Sequence, residues 1–149
     1  EVYFALGSLG AGLLIRKLTS HFAPAKTIIC LMLLAGVSFV VVAFTNSVLG
    51  FYLFSVLIGW SNAGTRITRV TFLFNHVPNN IIGRANSIFY VYNIASRGIL
   101  ITLFSMAYFS ESNNIVWTYV ICGCFIIVSV LPLLAVADRL SKIEVKGVE

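Results

Sequence analysis

The chain has 149 residues, of which 59% are apolar and only 10% charged, with a formal net charge of +5. Charged residues make up about a quarter of an average soluble protein, so this chain carries too few to cover a water-facing surface, and it is far too apolar for disorder. What remains is a chain whose solvent is lipid, and its secondary structure is expected to be helical, because backbone groups in hydrocarbon must be satisfied within each segment.

Taken in chain order, residues 2–15 form an apolar, glycine-rich segment that reads as the end of a span, too short to cross unaided. Gly7, Ser8, Gly10, Ala11 and Gly12 are small enough to let this helix approach a neighbour closely. It has an acidic start and no basic leader, so it is not a signal peptide, and the chain is expected to begin inside a longer protein. Between Lys26 and Arg66 lie thirty-nine positions without a charge. One crossing of about 30 Å of hydrocarbon needs roughly 20 helical residues, so this run is expected to turn at Thr45, Asn46 and Ser47. That predicts spans over about 27–44 and 48–74. A further span is expected over 84–108, with Arg97 as its only charge beyond Arg84 at its start, and a last one over 114–136, followed by a tail at 138–149. The fold expected is therefore a single all-α membrane domain over residues 1–149, a polytopic bundle of about five spans with the first truncated.

The basic residues test that count independently. Arg16, Lys17 and Lys26 flank one loop, Arg66, Arg69 and Arg84 flank the next but one, and Arg139, Lys142 and Lys146 follow the last span. The alternate loops, 45–47 and 109–113, hold no Lys or Arg. Nine of ten basic residues thus fall on one side, which is expected to be cytoplasmic and to hold the C-terminus of an integral, multi-pass membrane protein. The same distribution removes nucleic acid as a partner. The three cysteines lie dispersed in apolar runs, where they read as small packing residues. Trp60 reads as a packing or lipid-facing aromatic, and Trp117 as an interfacial one.

Arg97 is the charge that sidedness leaves unexplained. It falls at the middle of its expected span, where a charged side chain is costly and too deep to reach either surface easily. Asn86, Tyr90, Asn93 and Arg97 are spaced by 4, 3 and 4, which on a helix places them within an arc of roughly 60°. The preceding helix repeats the design: Tyr52, Ser55, Gly59, Asn62, Arg66 and Arg69 share one face. Two readings stand for these stripes. One is an interior hydrogen-bond network closed by an acidic partner outside this chain; the other, favoured for intramembrane ionisable residues, is the lining of a hydrophilic path. Arg66 and Arg69 are also close enough to the cytoplasmic end to snorkel.

These residues resemble a known family. The segment over residues 59–87, with a helix ending at His76-Val77-Pro78 and the next opening at Gly83-Arg84-Ala85-Asn86-Ser87, is similar to the tenth and eleventh helices of major facilitator superfamily transporters. The form Asn86-Ser87-Ile88-Phe89 looks most like the macrolide-efflux-type branch. Gly12, Leu14, Arg16 and Lys17 resemble the family's repeated basic loop, departing from it at Arg16, where the family often has Asp. The resemblance implies the end of helix 8 and helices 9 to 12 of a twelve-helix fold, a substrate site near the midplane between two pseudo-symmetric halves, and alternating access. The N-terminal half of the same protein is then the partner that completes the cavity.

The function expected is secondary active transport of a small solute, as drug or metabolite efflux or another direction, coupled to a proton or ion whose acidic carrier lies elsewhere, since no Asp or Glu falls within a span. Its pathway candidates are Arg97, Asn93, Tyr90, Asn86, Asn62, Ser55 and Arg66; its cytoplasmic-loop motif is Gly12, Arg16, Lys17, Pro78, Gly83 and Arg84. The alternative is a helical subunit of a membrane complex that uses the stripes only for docking. An enzyme is not expected, because intramembrane catalysis needs paired carboxylates, metal ligands or a nucleophile beside a base, and His21 and His76 both read as loop residues. No metal or cofactor is expected for the same reason.

Overall fold

A computed structural model describes residues 1–19, 23–106 and 114–146, leaving the side chains of residues 16, 18, 19, 76, 79 and 136–146 outside the description. Five helices follow in order: α1 (Val2–Thr19), α2 (Pro24–Phe44), α3 (Val48–His76), α4 (Asn79–Phe104) and α5 (Ile115–Lys146). There is no strand among the described residues. Four helices are long and apolar enough to cross a membrane, while α1 contributes a shorter apolar stretch, Val2–Ile15. The architecture is an all-α membrane bundle.

The boundaries have local causes. Pro24 occupies the first turn of α2, where its missing N–H is an orphan in any helix. At the other end of α2 the Thr45 hydroxyl donates to the Val41 carbonyl at 2.8 Å, and Thr45 turns out of the helix with extended dihedrals. Ser47 then opens α3, so the charge-free run breaks at Thr45, Asn46 and Ser47. The helix α3 stops at His76 because Pro78 drives the residue before it out of the helical region: Val77 has φ −105° and ψ 128°. His76 is thus the last residue of a helix rather than a loop residue. Pro78 in turn leads into α4, which starts at Asn79 instead of 84 and ends at Phe104 instead of 108. Inside α5, Pro132 leaves one carbonyl without its helical donor, and Ser129 donates to the Ile126 carbonyl at 2.6 Å in the adjoining turn.

Close backbone contact organises the packing. On the α1/α3 seam, a Cβ built on Gly7 would fall on the Val56 carbonyl, and one built on Gly59 would fall on the Phe4 carbonyl. Only glycine permits that approach at both positions. Ser8 lies between them, its hydroxyl within 3.2 Å of the Gly59 carbonyl and 3.0 Å of its own helix at Phe4. Trp60 seats its ring against Gly10, which makes it a packing aromatic. Gly12 does not share this role: nothing lies within 4 Å of where its side chain would be. The α2/α5 seam uses the same device, with Gly36 and Gly123 facing each other across the crossing and Phe39 near Tyr119. Further along, Ile29 and Val130 form a small buried core with Met32 and Leu133. Between the seams α3 packs on α2, where Leu31 and Ile15 close over Gly64.

Helix α4 is the exception. None of its described residues is buried, and it meets the bundle only sparsely, along α3. The result is a wedge that opens between α3 and α4.

Candidate functional site

The wedge holds a cavity of about 1210 Å³. From α3 it receives Asn62, Thr65, Arg66, Arg69 and Val70, positions spaced 3, 1, 3 and 1 and therefore on one helical face. The opposite face of α3 carries Ser61, Gly64 and Thr68, all buried against the bundle. The Thr68 hydroxyl is satisfied within the helix by the Gly64 carbonyl at 2.8 Å. From α4 the cavity receives Asn86, Phe89, Tyr90, Asn93 and Arg97, again one face. The two polar stripes thus look at each other across a shared space.

One direct contact sets their register. The Arg69 guanidinium lies over the Phe89 ring, 5.1 Å from its centroid, a cation–π arrangement joining α3 to α4. With a rise of 1.5 Å per residue in each helix, Arg66 then stands about 4.5 Å further along the cavity, and Arg97 about 12 Å further. Asn62 and Asn93 fall between Arg66 and the Arg97 level. Past Arg97 the lining becomes apolar, with Leu100, Ile101 and Phe104 of α4 joined by Phe4 of α1 and Cys122 of α5. The cavity is therefore graded: three guanidinium groups and amides along most of its length, hydrocarbon at the end where α4 finishes.

Its electrostatics are one-sided. Three arginine side chains border the cavity, and none of its described lining residues is Asp or Glu. Among the side chains described, the carboxylate of Glu1, just before α1, lies outside the cavity. Arg66 and Arg97 are exposed to this space, and Arg69 is half-buried. Such charges at membrane depth persist only where water, a counter-charge or a polar partner meets them.

The sequence-based candidates divide accordingly. Asn62, Arg66, Asn86, Tyr90, Asn93 and Arg97 all border the one cavity. Ser55 is not among its lining residues: its hydroxyl donates to the Phe51 carbonyl at 2.8 Å. Tyr52, at the same end of the α3 stripe, stacks on Tyr3 of α1 with ring centroids 4.3 Å apart, and Gly59 is given over to the α1 seam. The loop-motif residues Gly12, Lys17, Pro78, Gly83 and Arg84 line no part of the cavity, and the side chain of Arg16 is outside the description. Gly83, like Gly12, has open space around the position of a side chain. His21 also lies outside the described residues.

Several lining residues were not legible as such. Phe89 and Ser96 sit on the α4 face beside the polar stripe, three residues after Asn86 and Asn93 respectively, and that spacing is the signal that could have found them. Phe4 and Cys122 come from helices distant in sequence, and no periodic pattern points to them.

No curated protein and no solved structure shows significant similarity to the chain. The family model for the Major Facilitator Superfamily, by contrast, matches residues 2–148, nearly the whole length. Four described helices are long and apolar enough to cross a membrane, in keeping with that match, and the chain belongs to the major facilitator superfamily of membrane transporters.

Proposed function

We propose that the chain is the trailing half of a secondary active transporter that moves a small solute by alternating access, and that the α3/α4 cavity is its share of the solute pathway. The observation that carries this reading is the meeting of two polar helical faces around one space of about 1210 Å³ in an otherwise apolar chain. Pathway sites are concave, with a few placed polar groups among apolar ones, and lie at repeat or domain interfaces. Helix α4, with no buried residue, leaves a whole flank for the remainder of the protein to cover. The resemblance of Asn86-Ser87-Ile88-Phe89 to the macrolide-efflux-type branch supports outward movement. Arginine and lysine sidedness supports a cytoplasmic C-terminus. Coupling to a proton or ion would draw its titrating carboxylate from outside this cavity, whose lining has none.

The test is water access. With the other cysteines replaced by serine, Tyr90→Cys, Asn93→Cys and Arg97→Cys should each react with a small membrane-impermeant thiol reagent in intact membranes. Protection of all three would favour the docking-subunit alternative and end the pathway reading.

A further inference from the structure

We infer that the solute accepted by this cavity carries a net negative charge, a carboxylate, sulfonate or phosphate on a partly apolar body. The inference rests on the pathway reading above and names its substrate class. Arg69, Arg66 and Arg97 form a ladder rising over about 12 Å, all bordering one space, with no carboxylate among its described lining residues. The two helices that bring them also bring Asn62, Asn86 and Asn93, whose amides add neutral, weaker hydrogen-bond donors for anion oxygens beside the guanidinium groups.

The alternative is that acidic side chains from the rest of the protein neutralise each arginine. Full neutralisation of that kind predicts a cavity with no preference for an anionic reagent, which the experiment below reads. A structural ion pair is built tight, because desolvating two charges is offset only when their geometry is good and their remaining hydrogen bonds are met. In this chain Arg66 and Arg97 are exposed to the cavity, and the Arg69 guanidinium lies over the Phe89 ring. A guanidinium held by an aromatic face keeps its N–H edge free for a planar, bidentate oxyanion. The cavity end beyond Arg97, walled by Leu100, Ile101 and Phe104, suits the apolar body of an amphiphilic anion and is a poor place for inorganic ions alone. An anion entering at one rung finds the next within about 7.5 Å along the axis, since Arg66 and Arg97 are separated by that rise. Spacing of this kind lets each guanidinium receive the charge before the previous one has released it.

The experiment reads the sign of the cavity without knowing the solute. Asn93→Cys is prepared in membrane vesicles with the other cysteines replaced by serine, and its modification rates are measured with two methanethiosulfonate reagents of similar size, one bearing a sulfonate and one a trimethylammonium group. Each rate is divided by that reagent's rate with free 2-mercaptoethanol, so a shifted thiol pKa cancels from the ratio. A cleft lined by one sign of charge raises the local concentration of counter-ions by about tenfold or more. The sulfonate reagent should therefore react at least about fivefold faster after normalisation, and Arg66→Gln with Arg97→Gln should remove that advantage. Native Cys122, which borders the same cavity, serves as the second reporter with Cys30 and Cys124 replaced, so the result does not hang on one variant folding. A smaller advantage, parity or a preference for the trimethylammonium reagent overturns the anion inference while leaving the pathway intact. Reaction with neither reagent at either reporter overturns the pathway, and the anion inference with it.

Discussion

The α2/α5 pair and the α3/α4 pair are made from the same chain by the same rules, yet they end as opposites. The spans Pro24–Phe44 and Ile115–Ala135 have mean hydropathies of 2.7 and 2.3, and their helices meet tightly at Gly36 and Gly123. The spans Val48–Asn75 and Asn80–Phe104 reach only 1.2 and 1.3, and their helices stand apart around polar groups. In lipid there is no hydrophobic gain from pressing two apolar helices together; close backbone approach and dispersion decide association. A pair with glycines at the crossing therefore zips, and the pair with arginines on its facing sides stands open. The difference teaches that average apolarity separates helices that only hold the bundle from helices that also turn polar faces to a cavity.

Reversing the packing rule should have the largest effect. A side chain at Gly123 would meet Val40 at 2.6 Å and the Gly36 carbonyl at 2.8 Å, and the second is backbone that cannot rotate away. Gly123→Val should destabilise the α2/α5 seam by about 3 kcal/mol or more, the upper range for overpacking. Thermal-shift measurement in detergent should show the loss, and transport per folded molecule should be unchanged. Normal melting of this variant would mean that the seam is looser than its glycines imply.

Arg97→Gln should do the reverse. Transport should fall by about a hundredfold, equivalent to roughly 2.7 kcal/mol, while membrane abundance and melting temperature stay as in the parent. Equal losses of transport and of folded protein would assign Arg97 to the scaffold and erase the contrast between the two pairs.

A smaller effect is expected at the cation–π contact between the two sides of the wedge. Phe89→Ala removes the ring beneath Arg69, an interaction worth about 0.5 to 2 kcal/mol. Transport should drop by roughly two- to thirtyfold, as this energy range implies, and Phe89→Tyr should restore it. A deficit that Phe89→Tyr leaves in place would mean that the aromatic face is not what matters there.

Much of this contrast was legible from residue order, and the limits have physical causes. Charge-free runs marked the spans because burying a charge in hydrocarbon is costly, and the three polar residues at 45–47 marked the turn. The polar stripes were legible because helical period is fixed at 3.6 residues. A period identifies a face, though, not its neighbour. Tyr52, Ser55, Gly59, Asn62, Arg66 and Arg69 share one face of α3, but that face turns from α1 to the cavity partway along, so Tyr52 stacks on Tyr3 while Asn62 lines the wedge. The contribution of Phe4 and Cys122 depends on tertiary placement and had no local signal.

The smallest expected effect is the sharpest probe of what lies beside α4. Gly98 follows Arg97, and nothing sits within 4 Å of the position its Cβ would take. In an exposed helix interior, alanine is favoured over glycine by up to about 1 kcal/mol, so Gly98→Ala should melt at the same temperature as the parent or slightly higher. The seam glycines behave differently because backbone occupies the space, as at Gly59 and Phe4. If Gly98→Ala instead melts several degrees lower, some part of the protein beyond these five helices approaches α4 as closely as α1 approaches α3. The wedge would then be one wall of a closed site whose other wall touches the helix beside Arg97, and a scan of alanine through methionine at position 98 would measure the gap.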